Sequence, residues 1–414
     1  MDRLLSERRA LYAAITVLSL GNGAVFALLA ELRDRHDLPT GGLGVISASA
    51  FVGLLVTQLA LAGHADRGHG AIMLTGGAVV SAAAMVWMAA GTELWQFVGA
   101  RTLLGVGTGL FLPAARRAVI VESPTGQAER LGMLYGAYLF GFVFGPPVAA
   151  LLAAAGDVRL PFFVLGLVIL VVIPLVQRVD VPAADGPFGK RWVVGSLIRD
   201  RRVLAAVLVV VSFRYSIGVF EPVWAVFLDD RGASTLVIGF SLTIFAFPMI
   251  FAAPMGGRFA DRHGARWASV VTALATVPFM ASYGLTDTIA VLVLLALLHG
   301  LFEAVESPGS QAAVAEAAPL QHAAAAQGLA EAAGSGAAAV GSLTAAPLYD
   351  GLDGGVWFIA ALVMFAVLAL SSRLDPPRRR IGRSRAQDPQ KPLLADAGDV
   401  GALLVEDVAE GEST

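Results

Sequence analysis

The chain has 414 residues, 57% of them hydrophobic and 15% charged; soluble domains hold roughly 45–50% and 25%, so the apolar excess is too large for one buried core. A net charge of -3 offers no basic face for phosphates and sets nucleic acid aside as a partner. The absence of cysteine removes disulfides, thiol catalysis and Cys-based metal sites together.

Residues 1–9 form a short tail with Arg3, Arg8 and Arg9. The apolar run behind it exceeds a signal-peptide core and further runs follow, so 10–30 is read as a retained first span. Spans are then expected at 41–62, 71–91, 94–115, 131–155 and 159–177, and at 204–228, 235–256, 267–286, 288–310, 325–346 and 355–371. Each is about the length that crosses a ~30 Å hydrocarbon core at ~1.5 Å per residue. Between the two sets lies a linker, 178–203, that holds Pro182, Gly186, Pro187, Gly189, Lys190 and Arg191. The expected fold class is therefore an all-α membrane protein, twelve transmembrane helices in two pseudo-symmetric six-helix bundles, 10–177 and 204–371. Residues 372–414 begin with Asp375-Pro376-Pro377-Arg378-Arg379-Arg380 and turn acidic, a composition that predicts a disordered cytoplasmic tail.

Charge sets the orientation. Of the 29 basic residues 23 fall on the side of the N-terminus, while Arg33, Arg35, Arg159 and Arg231 lie on the other and Arg101 and Arg214 lie inside spans. The positive-inside rule then places both termini in the cytoplasm. An internal repeat supports the six-plus-six division. Setting Pro113 on Pro308 also sets Gly105 on Gly300, Ala118 on Ala313, Val119 on Val314 and Pro124 on Pro319, and Ala65-Asp66-Arg67 recurs as Ala260-Asp261-Arg262.

Four segments stand out in chain order. After the second span comes Gly63-His64-Ala65-Asp66-Arg67-Gly68-His69-Gly70. The fourth span carries Arg101-Thr102-Leu103-Leu104-Gly105-Val106-Gly107; an arginine inside a span costs several kcal/mol (about 2.5–3.5 on insertion scales), and the glycines permit close helix approach. The fifth carries Gly141-Phe142-Val143-Phe144-Gly145-Pro146-Pro147-Val148-Ala149, where the Gly-Pro pair removes a helix hydrogen bond and bends the span. After the eighth comes Gly257-Arg258-Phe259-Ala260-Asp261-Arg262-His263-Gly264-Ala265-Arg266.

Together these segments resemble the major facilitator superfamily, in its twelve-helix, proton-coupled antiporter (drug-efflux-like) branch. The resemblance implies a cytoplasmic gate at Asp66 and Arg67 and at Gly257, Asp261, Arg262, Gly264 and Arg266, where an Asp latches the neighbouring bundle. The first loop departs from the pattern in its glycine placement and lacks the final base. The fifth span is similar to the antiporter motif at Gly141, Gly145 and Pro146, with Ala149 in place of a last glycine, and this implies export. The first span, Gly21-Asn22-Gly23, lacks the prolines of many drug exporters.

The resemblance also implies that spans 1, 4, 7 and 10 line a central cavity. Arg101, Arg214, Glu221, His299, Glu303, Glu306 and Glu331 are the ionisable residues inside spans, and such residues mark substrate and ion pathways. Arg214 and Glu221 are seven apart, hence on one helix face, and His299, Glu303 and Glu306 follow a 0, 4, 7 spacing. Four carboxylates face two arginines, so two acids lack a guanidinium and are suited to carry a proton. Glu303, coupled to Arg214 and His299, is the expected proton site, with Glu221, Glu306 and Arg101 beside it. Asn22, Arg101, Arg214, Glu221, His299, Glu303 and Glu331 are the expected substrate-cavity residues. Phe213, Tyr215, Phe220 and Trp224 of the seventh span either stack a ligand or pack.

His299 and Glu303 have helical metal-ligand spacing, but no second ligand cluster accompanies them, so neither a metal site nor a cofactor is expected. No phosphate-binding loop or nucleophile elbow occurs, and an enzyme is not expected. The expectation is a multi-pass protein of the cell (inner) membrane, monomeric in the lipid bilayer. It exports a small lipophilic or cationic compound in exchange for protons by alternating access. Uptake of a metabolite is the second reading, and a receptor or scaffold that kept the fold without transport is the third.

Overall fold

A computed structural model describes residues 2–61, 64–121, 127–181, 193–318 and 322–376. The helices are α1 (Asp2–His36), α2 (Thr40–Leu61), α3 (Gly70–Ala90), α4 (Leu94–Val121), α5 (Gln127–Ala155), α6 (Arg159–Val176), α7 (Val193–Arg199), α8 (Arg201–Asp229), α9 (Thr235–His263), α10 (Ala265–Ser282), α11 (Ile289–Ala317), α12 (Ala323–Leu352) and α13 (Gly355–Leu374). Ten of them are long and apolar enough to cross a membrane; among the described residues α9 has a shorter apolar stretch, Thr235–Pro248, and α12 is largely Ala and Gly. Small side chains suit α12 to close helix contact, which substitutes in lipid for the hydrophobic drive that water supplies. The short α7 lies in the expected linker, whose residues 182–192 are outside the described ones, as is the expected disordered tail from 377 onward.

Helices overrun the apolar spans because their caps lie beyond the hydrocarbon. Asp200 caps α8 by accepting from the Arg202 amide at 2.8 Å, and Ser234 caps α9 from the Val237 amide at 3.4 Å. Twelve crossings bring residues 2 and 376 to the same side, called here the terminal face; the opposite one is the distal face.

Both halves are built alike. In the first, α1 packs on α5 and α6, α4 on α2 and α3, and α3 on α6; in the second, α8 packs on α12 and α13, α11 on α9 and α10, and α10 on α13. The halves meet where α2 lies on α12 and α5 on α9. The likeness reaches single residues. A Cβ on Gly105 would overlap the backbone of Ala50, and one on Gly300 that of Phe245, so the paired glycines hold corresponding helices at backbone contact.

The fifth-span motif has the same explanation. A Cβ on Gly145 would stand 2.5 Å from the Leu20 carbonyl and 2.9 Å from the Ala24 amide; one on Gly341 would stand 2.7 Å from the Tyr215 carbonyl and 3.1 Å from the Val219 amide. Leu20 and Ala24 stand to Tyr215 and Val219 as Gly105 stands to Gly300. Gly141 likewise faces the Thr16 carbonyl. The motif is thus the seam between α1 and α5, and α8 and α12 repeat it.

Candidate functional site

Along α8 the polar residues divide by face. At 3.6 residues per turn Arg214 and Glu221 share one side, while Ser216, only two positions from Arg214, points the opposite way. Arg214 Nη2 donates to Glu331 Oε2 of α12 at 2.9 Å, and Gln311 Nε2 donates to the other oxygen, Oε1, at 3.4 Å. These two charged side chains remain partly exposed, 31% and 20%. Glu221, two turns nearer the distal face, is paired with Arg101 of α4 and both are sealed, at 0% and 3%. Arg101 also lies over the Phe26 ring, 5.9 Å from its centroid. This pair joins the two halves at depth, so Arg101 is held by a partner rather than snorkelling.

The expected link between Glu303 and Arg214 is not formed. Arg214 is turned toward α12, and the Ser216 face of α8 is the one that meets α11. Ser216 Oγ lies 3.5 Å from Glu303 Oε1, and His299 Nε2 lies 3.5 Å from the same oxygen. His299 Nδ1 shares a 2.9 Å hydrogen bond with the hydroxyl of Tyr283, which follows α10. One helical turn along α11, Glu306 is buried, and neither of its carboxylate oxygens has a hydrogen-bond partner among the described residues. His299, Glu303 and Glu306 therefore form a nest inside the second half, among α8, α10 and α11, and do not line the cleft between halves. Sequence reasoning missed Ser216 and Tyr283. The signal available was the Ser212-x-x-x-Ser216 spacing, which sets two small hydroxyls on one face of the seventh span.

The aromatic residues of α8 are core. Phe220 stacks on Trp224 with centroids 4.6 Å apart, and the buried Trp224 Nε1 donates to Ser241 at 2.9 Å. An aromatic ladder faces the cleft from α5 instead. Tyr135 stacks on Tyr138 at 6.4 Å and Tyr138 on Phe142 at 6.2 Å, and Phe142 meets Phe26 of α1 edge-on at 5.3 Å. Asn22 lies beside it, donating to Thr108 at 3.1 Å, on a void of about 10 Å³ that Tyr138 also lines.

At the distal face the halves are bridged. Arg33 of α1 binds Asp229 and Asp230 at the end of α8, at 3.0 and 2.9 Å, and Thr235 of α9 donates to Glu31 at 3.2 Å. Tyr349 donates to Asp230 at 2.8 Å, and Arg231 holds Asp287 and Asp353 at 2.8 and 3.1 Å. Partial burial raises the Asp353 carboxyl, yet the Arg231 hydrogen bond and charge outweigh this and hold it below the ordinary range. A basin of about 510 Å³ opens among Thr40, Asp230, Arg231, Asp287, Tyr349, Asp350 and Asp353. Counting bases alone hid this network, because its signal is the row of aspartates in the distal loops. While the distal end is bridged in this way, exposure along α8 rises from the sealed Glu221 to the partly exposed Arg214, nearer the terminal face.

At that face the two expected gate loops differ in register. Gly264 adopts φ 94° and Gly68 φ 89°, so the first loop makes its left-handed turn two residues after its Asp where the second does so three residues after. Arg67 and Arg262 are exposed, while the side chains of Asp66 and Asp261 and the surroundings of Gly257 lie outside the described ones. Arg266 donates to the Ala205 carbonyl at 3.2 Å, to Ser371 Oγ at 2.8 Å and to the Asp375 carbonyl at 3.0 Å, tying α10 to α8 and α13 within the second half.

Comparisons with known proteins agree with this architecture. The sequence pattern of the Major Facilitator Superfamily matches residues 11–224 and 206–405. Multidrug resistance protein MdtG of Rahnella sp. (strain Y9602) is 25% identical over 308 residues, covering 70% of this chain and 74% of that protein. MdtG of Salmonella paratyphi A is 27% identical over 319 residues, covering 72% and 79%. Among solved structures, a bacterial homologue of the human lysosomal transporter Spinster, inward-facing and occupied, superposes with a TM-score of 0.74 at 13% identity over 89% of this chain and 96% of its own. The nucleoside transporter NupG (D323A mutant) does so with 0.74 at 13% over 89% and 100%. The chain is a multi-pass membrane transporter and belongs to the major facilitator superfamily.

Proposed function

We propose that the protein exports a small organic compound in exchange for protons by alternating access, with both termini in the cytoplasm. The observation that carries this reading is the nest in the second half. Glu303 and Glu306 are buried three positions apart without an arginine bound to either among the described residues. A carboxylate is expensive to bury unpaired, so such a group is stable there with a proton bound and forces a rearrangement when it loses it. His299 and Tyr283 extend the chain of groups through which that proton moves. The MdtG relatives are named for multidrug resistance, and outward transport of a drug-like cargo is in keeping with that name.

In this cycle the described state is open to the cytoplasm and closed outside by Arg33 with Asp229 and Asp230 and by the Arg101–Glu221 pair. Cargo enters beside Arg214, Glu331 and the α5 ladder. Proton release from the nest and cargo binding tip the halves about the small-residue seams, which slide without large side chains to interlock. The test is transport in proteoliposomes with a panel of fluorescent amphiphiles. The reading expects accumulation when the lumen is made acidic and its loss when an ionophore collapses the gradient. Accumulation indifferent to the gradient contradicts it.

A further inference from the structure

Among the described residues, the surroundings of Arg214 between the halves carry more positive than negative charge. Glu331 is the acid that faces it, and both of its oxygens are already engaged, by Arg214 at 2.9 Å and Gln311 at 3.4 Å. Arg116 of α4, in the other half, is exposed, is near enough to act on the charge of Glu331, and forms no ion pair among the described residues. Among the described side chains, Arg116 and Arg214 thus both answer the one carboxylate of Glu331. Across from them, Tyr135 is 46% exposed, and it and Tyr138 are electrostatic neighbours of Arg214. The Arg214 side chain keeps 31% of its surface exposed as well, so it and Tyr135 can both be reached by a ligand.

A flat ring fits on the stacked faces of Tyr135 and Tyr138, whose planes lie within 17° of each other. An acidic group on that ring reaches the unneutralised positive charge, and guanidinium binds carboxylate or sulfonate through two parallel hydrogen bonds. A cation at the same place would meet Arg116 and would have to displace Arg214 from Glu331, leaving that guanidinium unpaired. We infer that the cleft takes aromatic organic anions, with the ring on Tyr135 and Tyr138 and the anionic group between Arg116 and Arg214. This turns the cargo away from the cationic compounds expected from sequence. It rests on the reading of the protein as a transporter loaded through this cleft.

The test compares two probes that share a ring and differ in charge, 2-naphthalenesulfonate and 2-naphthyltrimethylammonium, by calorimetric titration of the purified full chain without any gradient. The sulfonate is expected to bind about tenfold more tightly, and Arg116→Gln to remove about that factor for the sulfonate while the ammonium, relieved of a like charge, binds no more weakly than before. Tyr135→Ala should weaken both probes, since the ring serves both. Equal or tighter binding of the ammonium, an unchanged ratio in Arg116→Gln, or no binding of either probe overturns the inference. Because no proton gradient enters the titration, an anion preference survives a failure of proton coupling, and coupling survives a failure of the preference.

Discussion

Glu303→Gln is expected to abolish the response of transport to a pH gradient while leaving gradient-independent equilibration in place. One proton moving down one pH unit supplies ~1.4 kcal/mol, which supports about tenfold accumulation of an exchanged cargo. The wild type should approach that ratio, and the variant should stop near equal concentrations. Glutamine keeps the size and the hydrogen-bonding reach toward Ser216 and His299, so loss of coupling would reflect the missing proton rather than a collapsed nest. Glu306→Gln serves as the comparison. With no partner for either oxygen among the described residues, it removes a second protonatable group without breaking a described bond. Undiminished accumulation in both variants would exclude the nest as the coupling site.

Arg101→Ala should have the largest effect on stability. The pair with Glu221 is sealed, and removing one partner of a buried pair costs about 3–5 kcal/mol because the other charge stays behind uncompensated. Thermal unfolding of the purified protein reads this directly. The double variant Arg101→Met with Glu221→Leu should recover most of the loss, as apolar residues of similar volume often replace buried pairs at little cost. Transport should not recover, because the pair also fastens the two halves near the distal face. A double variant that transports like the wild type would show that the pair is only structural.

The twelve crossings and the six-plus-six repeat were legible because both are written locally, in hydropathy and in the matched positions of Gly105 with Gly300 and Pro113 with Pro308. The backbone contacts of those glycines in the two halves follow from the same repeat. Partner choice was not legible, since it depends on which helices become neighbours. Arg214 and Glu221 share a face as their spacing predicts, yet one turns to α12 and the other to α4, and the acid nest is reached from the opposite face of α8. The linker helix Val193–Arg199 was missed because seven residues between a polar stretch and a span leave no hydropathy signal. Of the two roles open to the seventh-span aromatics, Trp224 and Phe220 take packing, and the stacked ladder of the fifth span gave no signal by spacing alone.

Proton release on cargo binding tests the central claim most directly. Purified protein in weakly buffered solution near neutral pH, titrated with 2-naphthalenesulfonate or another bound amphiphile, is expected to release protons in a saturable fashion that a pH dye reports. The signal should vanish in the Glu303→Gln, Glu306→Gln double variant while binding persists. Release of the same amplitude from wild type and double variant, or binding by the wild type without release, would contradict the account.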